Sequence, residues 1–287
     1  MDPVKAKAVV RRARPIDGWL EPEAGYLFAM LDEAQRAHGI EGDAVEIGVH
    51  HGKSAVLLGS MLDHSTERLI VCDVFGAQES NPTESGRGER DTFMSNVGEW
   101  FADTTFLRVH EKSSAELTVD DVGANCRLFH VDGGHSCEEA LGDLRLGARC
   151  LREGGAIVVD DPFHPAWPGV TEAILAFVRE PGDVRFVPLV LGFNKLVIVR
   201  AGDEPIYRRL LDDPAARAAY IPRAPHALKR LTLAGSEIYV FYRPTYRSRG
   251  LGSGELYRLY FQNADRVPEW VTRPVGWARS AKRALAG

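Results

Sequence analysis

This chain has no stretch approaching about 18 consecutive apolar residues, so no segment reads as a membrane-spanning helix. Cysteine is scarce. The four present, Cys72, Cys126, Cys137 and Cys150, form no C-x-x-C pair and share no regular spacing, which argues against a disulfide framework. Three of them fall in or beside predicted strands or helices, where an unpaired cysteine behaves as a small hydrophobe. A reducing, cytoplasmic compartment is therefore the expectation. Residues 1–14 carry charge with no apolar stretch behind them, unlike a secretory signal. Internal repeats and low-complexity linkers are also missing.

What is there is ordinary globular material: 45% hydrophobic and 26% charged residues over 287 positions, enough for a core without staples. The net charge of −5 hides an asymmetry, because residues 201–287 hold 15 Lys+Arg against 8 Asp+Glu. That is +7, which leaves −12 for residues 1–200. The basic residues are scattered and no nucleic-acid motif accompanies them, so they read as a solvated surface or a subunit contact. No nucleic-acid partner is expected; a homo-oligomer is.

The middle of the chain alternates short β-rich runs with longer amphipathic ones. Strands are predicted at 44–49 (AVEIGV), 68–74 (RLIVCDV), 105–110 (TFLRVH), 126–132 (CRLFHVD) and 156–161 (AIVVDD), with a closing antiparallel pair at 185–191 and 195–200. Helices are predicted at 19–35, 53–62, 91–101, 136–151 and 169–178. Ser136 and Glu139 stand at capping-box spacing, and Gly154-Gly155 reads as the stop of the helix they open. Nearly continuous apolar strands between helices predict an α/β, Rossmann-like, doubly wound sheet. Seven strands are expected, mostly parallel with an antiparallel closing strand. Residues 1–40 read as an N-terminal helical segment, 41–200 as the core domain, and 201–287 as a C-terminal extension packed on the core. Within that extension, 205–211 and 254–261 read as helical and 237–243 as a strand.

In such sheets ligands bind at the carboxyl ends of the strands. The first predicted strand runs into Glu46-Ile-Gly-Val-His-His-Gly52. A dinucleotide fingerprint needs Gly where Glu46 stands. A Walker phosphate loop needs four residues between its glycines, and Gly48 to Gly52 encloses three. The remaining pattern, E-x-G-x-x-x-G, resembles the first motif of class I methyltransferases. That resemblance implies S-adenosylmethionine as cofactor, with Glu46, Gly48 and Gly52 shaping its site. It also implies Asp73 after the second strand on the ribose hydroxyls, and Ser114 after the third near adenosine. His50 and His51 are expected to fill shape in the loop. The polar loop 76–90 has the composition of a lid.

The fourth predicted strand ends in Asp132-Gly-Gly-His135 and the fifth in Asp160-Asp161. Adjacent strands bring these carboxylates to one sheet edge, where they repel one another unless a cation lies among them. Oxygen donors suit Mg²⁺ or Mn²⁺. The pattern resembles the metal-dependent O-methyltransferases, and the macrolide-sugar type more than the catechol type. The sugar type carries Asp-x-x-His before an acidic pair, whereas the catechol type carries Asp-x-x-Lys before Asp-Asn. The resemblance spans roughly residues 40–200 and implies Asp132, Asp160 and Asp161 as metal ligands, with Asp132 also bordering the cofactor. It implies His135 as general base and a small-molecule hydroxyl acceptor, a vicinal diol on a sugar or glycoside. Some relatives have Asp-Gly-Asp where this chain has Asp132-Gly133-Gly134, which moves the base role to His135. His164 is a candidate for the substrate cleft. Two alternatives stay open: a metal-independent methyltransferase acting on nitrogen or an acidic oxygen such as a phenol, and a cofactor-binding protein without turnover.

Overall fold

The structure, a computed structural model, describes residues 1–77, 86–221 and 227–242. Most of loop 76–90 and the whole of 243–287, including the helix expected at 254–261, lie outside the described residues.

Five parallel strands, β1 (Asp43–Ile47), β2 (Leu69–Asp73), β3 (Leu107–Glu111), β4 (Cys126–Val131) and β5 (Leu151–Asp160), carry the apolar runs read from the sequence. They continue into the antiparallel pair β6 (Phe186–Gly192) and β7 (Lys195–Arg200), and then into β8 (Ala227–Leu233) and β9 (Ser236–Tyr242). The strand order is β3-β2-β1-β4-β5-β7-β6-β9-β8. The sheet thus holds nine strands among the described residues, two more than the expected seven. β9 pairs parallel to β6 through Val190↔Tyr239, which extends the edge the sequence left closed at β6.

Helices cover both faces because the strands are apolar on both. One face buries α1 (Pro3–Ala13), α2 (Pro22–Ala37), α3 (Lys53–Gly59), α4 (Arg90–Trp100), α8 (Glu204–Asp212) and α9 (Pro214–Tyr220) around Phe28, Leu57, Val158 and Tyr207. The other buries α5 (Val119–Val122), α6 (Cys137–Cys150) and α7 (Pro168–Phe177) around Phe129, Leu144, Ile157 and Ile174. Among the described residues no helix is long and apolar enough to cross a membrane.

Helix α6 starts where the capping box placed it. The Ser136 side chain accepts from the Glu139 N–H while the Glu139 carboxylate accepts from the Ser136 N–H. Its end differs from expectation. The chain passes directly into β5 at Leu151, and Gly154-Gly155 lies inside that strand, at an irregularity where Cys126 pairs with Leu151 but Leu128 with Ala156. Glycine there marks a bulge rather than a helix stop. All four cysteines are free, and burial pushes the Cys72 thiol up to about 12 and the Cys150 thiol to about 11.

Candidate active site

The carboxyl ends of β1, β2, β4 and β5 open on a cavity of about 480 Å³. The turn after β1 is shaped by close approach. Gly48 has φ +81°, and a Cβ there would lie 1.8 Å from the Asp132 carbonyl oxygen, so no side chain fits between the ends of β1 and β4. Asp73, at the end of β2, ties this turn down. Its Oδ2 accepts from the N–H groups of Val49 and His50, each at 2.8 Å, and its Oδ1 accepts from Phe75 at 2.7 Å. Oδ2 is thus fully engaged, and Oδ1 keeps a second lone pair to offer a hydroxyl in the cavity. Ser114 also lines the cavity, and its side chain hydrogen-bonds Asp143, a buried carboxyl that desolvation pushes up to about 7.

The expected cofactor residues do not all meet the cavity. Gly48, Asp73, Ser114 and Asp132 line it; Glu46 and Gly52 are not among the lining residues. Glu46 is fully buried in β1, opposite His130 of β4 in register, and its Oε1 lies 2.8 Å from His130 Nδ1. Gly52 (φ +89°) begins α3, where a Cβ would meet Phe93 at 2.9 Å. Its smallness serves packing against α4.

At the ends of β4 and β5 the expected acidic residues converge. Donor atoms of Asp132, His135 and Asp161 lie within 4.8 Å of one another, enough for one cation. His135 Nε2 is 3.0 Å from Asp161 Oδ2, its ring packs on Trp167 at 4.4 Å between centroids, and its Nδ1 is buried without a partner. Burial, and then the charge of Asp160, raise the Asp132 carboxyl well above the usual carboxylate range. Burial also works to raise Asp161, but hydrogen bonds from His135 and Asn194 outweigh it and hold that group below its ordinary value. Asp161 adopts φ +54°, a left-handed conformation that is costly for a residue with a side chain.

Asp160 is differently engaged. Lys195 Nζ lies 2.6 Å from Asp160 Oδ1 and 3.9 Å from Asp132 Oδ2, and the lysine is 2% exposed. Burial alone would lower the Lys195 pKa, but the two carboxylates outweigh it and raise it. Asn194 Nδ2 adds bonds to Asp160 at 2.9 Å and Asp161 at 2.7 Å. Sequence reasoning missed both residues. They come from the two-residue hairpin between β6 and β7, where Phe193 and Asn194 both have positive φ, and Lys195 pairs in register with Asp160. The Asn beside a predicted closing hairpin was the available signal. His164 lines the cavity as expected, as does the segment Asp17 to Leu20 that precedes α2.

A family profile described as a methyltransferase domain matches residues 45–162, the span that carries the cavity-lining strand ends from β1 to β5. The structure is similar to that of the O-methyltransferase NovP, at 18% identity over 61% of this chain and 78% of that one, with a TM-score of 0.50. Matches also include the O-methyltransferase TomG from Streptomyces achromogenes, solved with SAM (18% identity, 68% and 87% covered, TM-score 0.44). Another is an O-methyltransferase from Bacillus cereus solved with SAH (15%, 69% and 89%, 0.45). The NovP likeness establishes the fold, and the profile match identifies residues 45–162 as similar to a methyltransferase domain. The turn after β1 built for close approach and the carboxylate at the end of β2 both lie within the span that matches a methyltransferase domain, and in fold the chain resembles an O-methyltransferase.

Proposed function

We propose that the enzyme is a divalent-metal-assisted O-methyltransferase acting on one hydroxyl of a vicinal diol, in a sugar or glycoside. The observation that carries this reading is the convergence of Asp132, His135 and Asp161 on the wall of the cavity that Gly48, Asp73 and Ser114 also line. A methyl donor and an acidic, histidine-bearing wall then share one space.

The acidic wall fits a hard cation. Asp132 and Asp161 would hold it, with Asp160 beside them and partly neutralised by Lys195. When bound, Mg²⁺ or Mn²⁺ supplies Lewis acidity toward an acceptor oxygen. S-adenosylmethionine supplies the electrophilic methyl. The protein does the rest. Gly48 and Asp73 seat the cofactor, and Asp161 with Trp167 fixes the His135 ring. With Nε2–H donated to Asp161, the basic lone pair of His135 sits on Nδ1, and there the acceptor's proton is taken. Asp161 stabilises the imidazolium that results, as a carboxylate does in any histidine–aspartate pair. Two neighbouring hydroxyls on the acceptor give the acidic wall two points of hold, which orients the nucleophile and supplies rate by proximity.

Lys195 favours a second reading in which the wall needs no metal, because it already places one cation between Asp132 and Asp160. Its Nζ reaches those two and leaves Asp161 to His135 and Asn194, so it neutralises only part of the wall. The substrate class is tested with glycosides bearing a vicinal diol and their monodeoxy counterparts. Methylation of the diol and at least a tenfold loss on removing the unmethylated hydroxyl are expected. Equal turnover of both, or turnover only of phenols or amines, would overturn the diol assignment.

A further inference from the structure

A second group of donors stands beside the cavity, apart from the acidic wall. Asp17, His50 and His51 each offer a donor atom within 4.8 Å of the other two. The imidazoles come from neighbouring residues, which extended backbone would point to opposite sides. His50 instead has φ +48°, and its ring lies 3.9 Å from that of His51 at a tilt of 36°. Trp19 packs on His50 with centroids 5.2 Å apart. Left-handed backbone is costly at a residue with a side chain, and Asp73 holds the His50 N–H in this turn, which keeps the two rings together.

The hydrogen-bonding of the two rings is incomplete. His50 Nδ1 and His51 Nε2 are both buried with no partner. His51 Nδ1 is 3.7 Å from Asp17 Oδ2, too far for a hydrogen bond. Two imidazoles and one carboxylate form a donor set suited to a borderline transition ion, where oxygen-only sets suit Mg²⁺.

We propose that Asp17, His50 and His51 form a second metal site, for Zn²⁺ or a similar borderline ion. It is separate from the acidic wall and independent of the acceptor assignment. An ion there ties the segment before α2 to the turn after β1. Both Asp17 and His50 line the cavity, so occupancy stiffens the wall against which the cofactor is seated.

The test uses the full chain, stripped of metal and titrated with Co²⁺ followed by visible absorption, then with Zn²⁺ by calorimetry. One ion should produce ligand-field bands of an imidazole-bearing site, and these should persist in Asp161→Asn. His51→Ala should weaken that site at least tenfold, by the measure of lost metal-site partners. Asp17→Asn, an exposed and nearly isosteric change, should weaken it in the same direction with an unchanged melting temperature, which guards against a folding defect in His51→Ala. Unchanged Co²⁺ binding in both variants would overturn the proposal, as would loss of those bands in Asp161→Asn. So would an absence of any such site in the parent chain combined with weaker S-adenosylhomocysteine binding by the variants. That last outcome would assign these donors to the cofactor's amino-acid end.

Discussion

Two buried charge networks sit at opposite ends of the same strands. At the amino ends, Arg127 of β4 contacts Asp32 at 2.8 Å and Glu67 at 3.2 Å, bonds Gln35 at 2.8 Å, and reaches the carbonyls of Gly42 and Met61. Arg36 adds a second guanidinium against Glu67 and Asp32. With the Met1 amino group also paired to Asp32, three cations face two anions. At the carboxyl ends, Asp132, Asp160 and Asp161 face the single Nζ of Lys195, and His135 is left with an unpartnered Nδ1. The first network is closed and ties α2 to the sheet. The second is open, with charge, lone pairs and backbone strain left over at the cavity. Burial of charge is common to both; incompleteness marks the one proposed to do chemistry.

Substitutions should separate the two networks by kind of damage. The largest effect belongs to the open one. His135→Ala should lower kcat by roughly 10²–10⁴-fold, the range of lost general-base catalysis. Its S-adenosylhomocysteine affinity by calorimetry and its melting temperature should stay near the parent values. A wild-type rate in this variant would move the base role elsewhere. Next, Arg127→Met should leave Asp32 and Glu67 buried without their main partner, at a cost of about 3–5 kcal/mol. Denaturant melts would show it, while the folded fraction keeps its affinity for S-adenosylhomocysteine. If turnover collapsed and stability held, the two networks would not divide as argued.

A smaller effect comes from Asp143, which sits behind Ser114 at the edge of the contrast. Burial raises its folded pKa to about 7 from the ordinary carboxyl value of 3.8. The folded state therefore keeps a proton that the unfolded chain releases. The stability this contributes is complete below about pH 4 and is lost as pH rises toward about 7. Asp143→Asn should remove that dependence. The variant's melting temperature should gain on the parent's as pH goes from 5 to 8, and a constant difference would count against the assignment. The smallest effect is on the thiols. Cys72, Cys126 and Cys150 are buried and their thiols are raised by that burial. Alkylation of the native protein near neutral pH should spare all three, as read by mass spectrometry.

The open network was the more legible of the two in the sequence. Apolar runs ending in Asp73, Asp132 and Asp160-Asp161 announce both the strands and the residues at their ends, because one local pattern encodes both. Ser136 and Glu139 likewise declare the start of α6 within four residues. What local pattern cannot carry is pairing across the sheet. Lys195 opens the run KLVIVR like any strand-starting lysine, and only the register Asp160↔Lys195 turns it inward. Glu46 reads as part of a cofactor turn, yet its register with His130 points it into the layer beneath Phe28. Arg127, in an otherwise apolar strand, gave no sign of its five partners from α2 and the loops before β1 and β2. The added edge strand β9 depends on the same long-range pairing.

The central claim is that the open network is left open for a divalent cation. Methyl transfer from S-adenosylmethionine to a diol-bearing glycoside, measured in excess chelator and again after Mg²⁺ is restored, tests it most directly. Turnover should vanish in chelator and return with Mg²⁺. Full turnover in chelator would contradict the account and leave Lys195 as the cation that the acidic wall requires.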